Sequence, residues 1–281
     1  MQHFLNYIHK TLDPIYSENE VGVFARRILQ NVCGMDRVQF ILSKDKIFSD
    51  EINSQLDVIV QRLANQEPIQ YILGEEEFYG NIFNVAPGVL IPRAETEELV
   101  DLIIHETSSG GKILDIGTGS GCIAISLALN IKNAEVEAWD FSQAALLIAQ
   151  GNNEKLKANV CMKLQDVFDE SANTGELLDV IVSNPPYVMD SEKSDMQHNV
   201  LDHEPHTALF VSDHDPLLFY RRISELGLKR LKPGGRIYFE INALLGPETA
   251  DLVSSHGYTD VRLIKDLYGK DRIVTAVKQN I

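Results

Sequence analysis

The densest chemical signal in the chain is Asp179-Val180-Ile181-Val182-Ser183-Asn184-Pro185-Pro186-Tyr187. The β-branched apolar run reads as a buried strand. It stops on Asn-Pro-Pro-Tyr, where two prolines remove two backbone donors and fix φ. Open α/β sheets place their ligands at such carboxyl ends. An amide, a proline carbonyl and an aromatic face held there suit a planar –NH2 group. The two oxygens accept its two hydrogens and the ring stacks on its plane. The plainer alternative is a Pro-Pro turn with a capping Asn184 and a surface Tyr187.

Three further clusters follow predicted strands. Asp115-Ile116-Gly117-Thr118-Gly119-Ser120-Gly121 has the spacing G-x-G-x-G, with Cys122 where a dinucleotide fingerprint carries its last glycine. Glycines allow a tight turn and a close ligand approach. Asp140 lies 19 residues beyond Gly121 at a strand end, where it can accept both ribose hydroxyls. Asp166, with Val167 and Phe168 beside it, can bind an adenine amino group whose ring the apolar neighbours cover. Taken singly, each has a plainer reading as a turn or a cap. His198, His203 and His206 with Glu204 resemble metal ligands, but Pro205 breaks the i, i+4 register such sites favour. A polar loop with no metal is expected. Arg93 could equally be a clamp or a ligand contact, and Glu240 a base or, more commonly at such a position, a satisfied strand-end acid.

The elements that must position these residues alternate strand and helix from Lys112 on. Strands are predicted at 112–116, 135–140, 160–165, 178–183 and 235–241, and runs 260–265 and 272–278 read as an antiparallel edge. The expected fold is α/β: a doubly wound, Rossmann-like, mostly parallel sheet with an antiparallel C-terminal edge strand. A small helical bundle at 1–75 and a linking β-hairpin at 76–95 precede the sheet domain at 96–281. Ser17 and Glu20 form a capping-box pattern before Val21, Phe24, Ile28 and Leu29, and Gly34 stands at a helix stop. Ile52–Leu63 is a second amphipathic stretch behind Asp50-Glu51.

At 281 residues, with 44% hydrophobic and 23% charged, the chain can bury a sizeable core. Its 41 acids against 25 bases give a net charge of −16, which disfavours a nucleic-acid backbone as partner. Cys33, Cys122 and Cys161 form no C-x-x-C pair, so no disulfide framework is expected. No signal peptide or long apolar span is visible; a cytoplasmic protein without a membrane partner is expected.

Together Asp115 to Gly121, Asp140, Asp166 and Asn184 to Tyr187 resemble the S-adenosylmethionine-dependent amino-methyltransferases. Phe78-x-Gly80, Ile91-Pro92-Arg93-x-Glu95-Thr96-Glu97, Glu204-Pro205-x-x-Ala208-Leu209 and Gly269-x-Asp271-Arg272 narrow the resemblance to the peptide chain release factor glutamine methyltransferases (PrmC/HemK-like). The resemblance spans nearly the whole chain. It implies methyl transfer from S-adenosylmethionine, with S-adenosylhomocysteine as product, to the glutamine amide of a release factor's Gly-Gly-Gln loop. It also implies that Gly117, Thr118, Gly119, Ser120, Gly121, Asp140, Asp166, Val167 and Asn184 hold the cofactor. Asn184, Pro185, Pro186 and Tyr187 would hold the glutamine, with Asn184, Pro185 and Tyr187 catalytic. Trp139, Val167 and His203 depart from the commoner residues of the family. The alternatives are a DNA or RNA exocyclic-amino methyltransferase, whose substrate is also a planar –NH2, and a nucleotide-binding dehydrogenase or sensor.

Overall fold

Residues 1–279 are described by the structure, a computed structural model; Asn280 and Ile281, the end of the expected sheet domain, lie outside the described residues. The chain divides into two compact units: Met1–Glu75 with Gln197–His203, and Glu76–Met196 with Glu204 onwards.

The first unit is built from α1 (Gln2–Leu12), α2 (Glu18–Cys33), α3 (Arg37–Leu42), α4 (Asp50–Ala64) and α5 (Ile69–Leu73). At the start of α2 the Ser17 hydroxyl accepts the Glu20 N–H, and the Glu20 carboxylate accepts the Ser17 N–H at 2.9 Å. Gly34 ends that helix in the left-handed conformation, φ 62°. Apolar residues at helical spacing (Ile8, Leu12, Ile28, Leu29, Leu56, Leu63) then close a core of their own.

The second unit opens with the hairpin β1 (Glu75–Phe78) and β2 (Asn81–Asn84), whose turn places Tyr79 and Gly80 at positive φ. Glu97 of α6 (Ala94–Glu106) accepts the Tyr79 N–H at 2.7 Å, which ties the hairpin to that helix. Next come β3 (Lys112–Ile116), α7 (Cys122–Asn130), β4 (Glu135–Asp140), α8 (Gln143–Leu156), β5 (Cys161–Leu164), β6 (Leu178–Ser183) and β7 (Val188–Met189). The short helices α9 (His198–Leu201, grouped with the first unit) and α10 (His206–Leu209) precede β8 (Phe210–Val211). The chain continues through α11 (Leu218–Arg230), β9 (Leu231–Glu240), α12 (Gly246–Ser255), β10 (Tyr258–Lys265) and β11 (Asp271–Lys278).

Seven strands form one sheet in the order β10-β11-β9-β6-β3-β4-β5. Successive residues of a strand point to opposite faces. Thus Ile113, Val180 and Val182 pack on one layer with α6 and α7, while Leu114 and Ile181 pack on the other with α11 and α12. Double-sided burial is what an uninterrupted run such as Val180–Val182 predicts. The antiparallel pair does occupy the expected edge, but the last strand lies one place inside it and β10 is outermost. The reason is in the side chains. Ile273 to Ala276 are buried on both faces, whereas β10 leaves Thr259, Asp260 and Lys265 to solvent. Among the described residues no helix is long and apolar enough to cross a membrane.

Candidate active site

Strand register assembles the site. β3 pairs in parallel with β4 on one side and β6 on the other, and the last partners are Ile116 with Trp139 and Ile116 with Ser183. β6 in turn pairs with β9, Ser183 against Phe239. The next residue of each strand therefore stands beside its neighbour at the carboxyl edge of the sheet, in the order Asp140, Gly117, Asn184, Glu240. The order reverses at β3, whose successors β4 and β5 lie to one side and β6 to the other. This is the switch point where doubly wound sheets open a crevice.

A cavity of about 400 Å³ opens there. It is lined by Gly117, Thr118, Gly119, Ser120, Asp140, Asp166, Val167, Asn184, Pro185 and Pro186, so most of the expected residues come together. The glycine loop is pinned to β4, because the Trp139 carbonyl accepts the N–H groups of Gly117 and Thr118 at 2.9 Å each. A Cβ added at Gly117 or Gly119, both at positive φ, would meet nothing within 4 Å. These two positions face open space that a ligand can enter. Gly121 serves a different end. Its Cβ would stand 3.0 Å from Ile125 and 3.3 Å from Ala149, so it lets α7 and α8 pack, and it does not line the cavity.

Asp140 is buried, and each of its oxygens takes one backbone N–H, from Ser142 and from Gly119, both at 2.9 Å. Burial pushes its carboxyl upward, and those amides oppose the shift. Asp166 is exposed at the cavity edge, with one oxygen accepting the Phe168 N–H at 2.9 Å. Phe141 and Phe168 also line the cavity and keep 57% and 42% of their surface exposed. Phe141 was not singled out from the sequence. Its signal is a large aromatic directly after the strand-ending Asp140. Cys122 lines the wall too, but burial pushes its thiol up to about 12, so it remains a protonated, unreactive group.

Asn184 gives its amide N–H to the Thr96 hydroxyl at 3.4 Å. Asn184 and Pro185 both line the cavity, and among the described residues none donates to the Asn184 oxygen or to the Pro185 carbonyl. Tyr187, like Gly121, stands apart from the other expected residues. Its hydroxyl donates to Glu240 at 3.1 Å, its ring packs in the core layer under α11, and it does not line the cavity. Asn242 holds the tetrapeptide's backbone by donating to the Tyr187 carbonyl at 3.0 Å.

Two groups outside the tetrapeptide shape the opening. Glu204 is buried, accepts the Ile91 N–H at 3.0 Å and meets the Arg93 guanidinium at 2.5 Å. It thereby joins the Ile91-Pro92-Arg93 loop to the segment that carries Thr207 and Ala208, and Pro92, Arg93, Thr207 and Ala208 all line the cavity. Arg93 is thus a clamp. Replacing Arg93 with alanine leaves a buried carboxylate with one neutral donor and should cost about 3 kcal/mol of stability by urea unfolding. An unchanged midpoint would show that Glu204 finds water instead. Of the histidine cluster, His198 faces Asp202 at 3.3 Å and His206 meets Phe210 edge-on at 5.1 Å. No three potential metal ligands converge among the described residues.

Asp115 lies under the loop with no exposed surface; one oxygen accepts the Thr118 hydroxyl at 2.7 Å and the other has no partner. Burial pushes its carboxyl up to about 7 from an ordinary 3.8. A pKa raised on folding stabilises the protein fully below the unfolded value and loses that contribution as pH rises through the folded one. Asp115→Asn, which never ionises, should therefore gain stability relative to the wild type as pH rises from about 4 to about 8. Urea unfolding across that range tests this, and a difference independent of pH would refute it.

The chemistry of the cavity suits S-adenosylmethionine. Open space above Gly117 and Gly119, a buried acid for hydroxyls, an unpartnered buried Ser120 hydroxyl and two flanking phenylalanines all match its parts. Residues 95–208 match the family model of the methyltransferase small domain, and residues 3–74 match that of the PrmC N-terminal domain. A methyltransferase from Pyrococcus furiosus shares the fold at a TM-score of 0.54 and 18% identity, covering 81% of this chain and 99% of that one. The family model over this fold and crevice is that of a methyltransferase. A release factor glutamine methyltransferase from Bacteroides thetaiotaomicron is 51% identical over 276 residues, spanning 98% of this chain and 99% of the relative. Another, from Bacillus subtilis, is 39% identical over 164 residues, 58% of this chain and 57% of the relative. The chain belongs to the release factor glutamine methyltransferase family.

Proposed function

We propose that this protein methylates the side-chain amide nitrogen of the glutamine in the Gly-Gly-Gln loop of peptide chain release factors, using S-adenosylmethionine and releasing S-adenosylhomocysteine. The observation that carries the reading is that Asn184 and Pro185 line the switch-point cavity, in a chain 51% identical almost end to end to such an enzyme. When bound, the cofactor supplies a methyl group on a sulfonium, which is already a good leaving group. The protein's task is alignment.

A glutamine amide nitrogen is a poor nucleophile because its lone pair is delocalised into the carbonyl. Asn184 and Pro185 accept its two N–H bonds and favour rehybridisation. Acceptors fixed in advance stabilise the positive charge growing on nitrogen, the counterpart of an oxyanion hole. Asp140 receives the ribose hydroxyls, while Asp166, Val167, Phe141 and Phe168 surround the adenine. Gly117 to Ser120 take the methionine portion. Pro186 completes the glutamine's side of the rim, and Tyr187 acts through Glu240 by holding the tetrapeptide. The helical unit, Met1–Glu75 with Gln197–His203, recognises the folded factor, and the reaction takes place in the cytoplasm.

The test is methyl transfer from labelled cofactor to purified release factor, its Gly-Gly-Gln→Gly-Gly-Ala variant and DNA, side by side. Label on the intact factor alone is expected. Label on DNA, or on the alanine variant, would overturn the reading.

A further inference from the structure

Thr96 and Glu240 lie outside the tetrapeptide; the reaction as described gives Thr96 no role and Glu240 only that of holding Tyr187. Thr96 stands in the first turn of α6 and Glu240 ends β9; both are almost fully buried, at 2% and 1% exposure. The Thr96 hydroxyl lies 2.6 Å from one Glu240 oxygen and the Tyr187 hydroxyl 3.1 Å from the other. The Asn184 amide completes the chain, 3.4 Å from the Thr96 oxygen.

The direction of each bond follows from which atoms carry protons. A carboxylate only accepts, so both hydroxyls donate to Glu240. Burial pushes the Glu240 carboxyl upward, and Thr96, Arg272 and Tyr187 oppose that; the bond directions rest on the geometry, in which both hydroxyls donate to Glu240 and the Asn184 –NH2 to Thr96. Thr96 has one O–H, and Glu240 takes it. Its oxygen can then only accept, so the end of Asn184 that meets it must be the –NH2. The amide oxygen is left to face the cavity. With the amide turned over, Asn184 would present N–H groups to the N–H groups of an incoming glutamine, donor against donor.

We propose that Thr96, held by Glu240, is a positioning residue that fixes the Asn184 amide with its oxygen toward the substrate nitrogen. The inference rests on the proposed function, since it needs a substrate that offers N–H bonds. It also explains why, in a helix start that is otherwise mostly acidic, the threonine is the polar residue that is buried: its hydroxyl sets the sign of the site.

The experiment compares wild type, Thr96→Val and Thr96→Ser in methyl transfer to the release factor, with cofactor dissociation constant and Tm measured alongside. Valine keeps the shape and removes the acceptor; serine keeps the hydroxyl and removes a methyl. Thr96→Val should lower kcat by about 10- to 100-fold through misorientation of the acceptor, with cofactor affinity nearly unchanged. Thr96→Ser should recover most of the rate despite its lost packing. Thr96→Ala repeats the comparison if valine strains the core. Equal rates in valine and wild type would overturn the proposal, as would a serine variant as slow as valine, which marks a packing role. A wild type that binds the cofactor but fails to label the factor would overturn the proposed function itself, and the inference with it.

Discussion

Asn184→Ala is expected to lower kcat for glutamine methylation by about 10²- to 10³-fold, the cost of removing one fixed group that meets charge in a transition state. In the proposed reaction Asn184 and Pro185 each supply one acceptor, and the variant removes one of them. The remaining Pro185 carbonyl still binds one N–H, so the glutamine enters but its nitrogen keeps more of its amide character. The loss therefore falls on turnover, with cofactor affinity changed by only about twofold to threefold. Asn184 is half-buried beside the fully buried Ser183 and Pro185, so its truncation does not open the core. A single-turnover assay at saturating cofactor and factor isolates the step. If kcat held and the whole loss appeared in cofactor binding, the acceptor role would be wrong, and Asn184 would be a cofactor ligand only.

Much of this site was legible because its parts are local. The glycine loop, the strand-ending Asp140 and the Asn-Pro-Pro-Tyr stop each follow a short apolar run, and the turn chemistry sits beside the strand that positions it. The capping box at Ser17 and the helix stop at Gly34 were legible for the same reason, since capping is settled within three or four residues. What the sequence does not carry is strand order. Nothing in Val180 to Ser183 says that they will lie between β3 and β9, and that placement is what brings Glu240 and Thr96 to Asn184. Glu204 is a similar case: its partners Ile91 and Arg93 are over a hundred positions away, so no periodicity announces them. The setting of Tyr187 was hidden for a further reason. An aromatic after two prolines suggests a stacking face, but its hydroxyl finds a buried carboxylate, and satisfying that bond turns it into the core.

The second large effect concerns affinity. Asp140→Ala should weaken S-adenosylmethionine binding by about 100-fold, because two hydrogen bonds to a charged acceptor are lost at about 1.5 kcal/mol each. Each Asp140 oxygen already takes one backbone N–H and has capacity for one more, which matches the two ribose hydroxyls. Asp140→Asn should lose less, about tenfold, since one acceptor oxygen survives and the other position becomes a donor. The comparison matters because alanine also strips the Gly119 and Ser142 amides of their acceptor; Tm for both variants separates that damage from lost ligand contacts. Burial raises the Asp140 carboxyl above its ordinary value, and only the ionised form offers every lone pair. Wild-type affinity should therefore fall on acidification, while the asparagine variant, with nothing to ionise at that position, should show a flatter profile. Calorimetric titration across pH reads both effects. A Kd for Asp140→Ala within twofold of wild type would detach the acid from the ribose. With Asn184 acting on turnover and Asp140 on affinity, the double variant should show the product of the two losses, because the groups act on different steps from the ends of different strands.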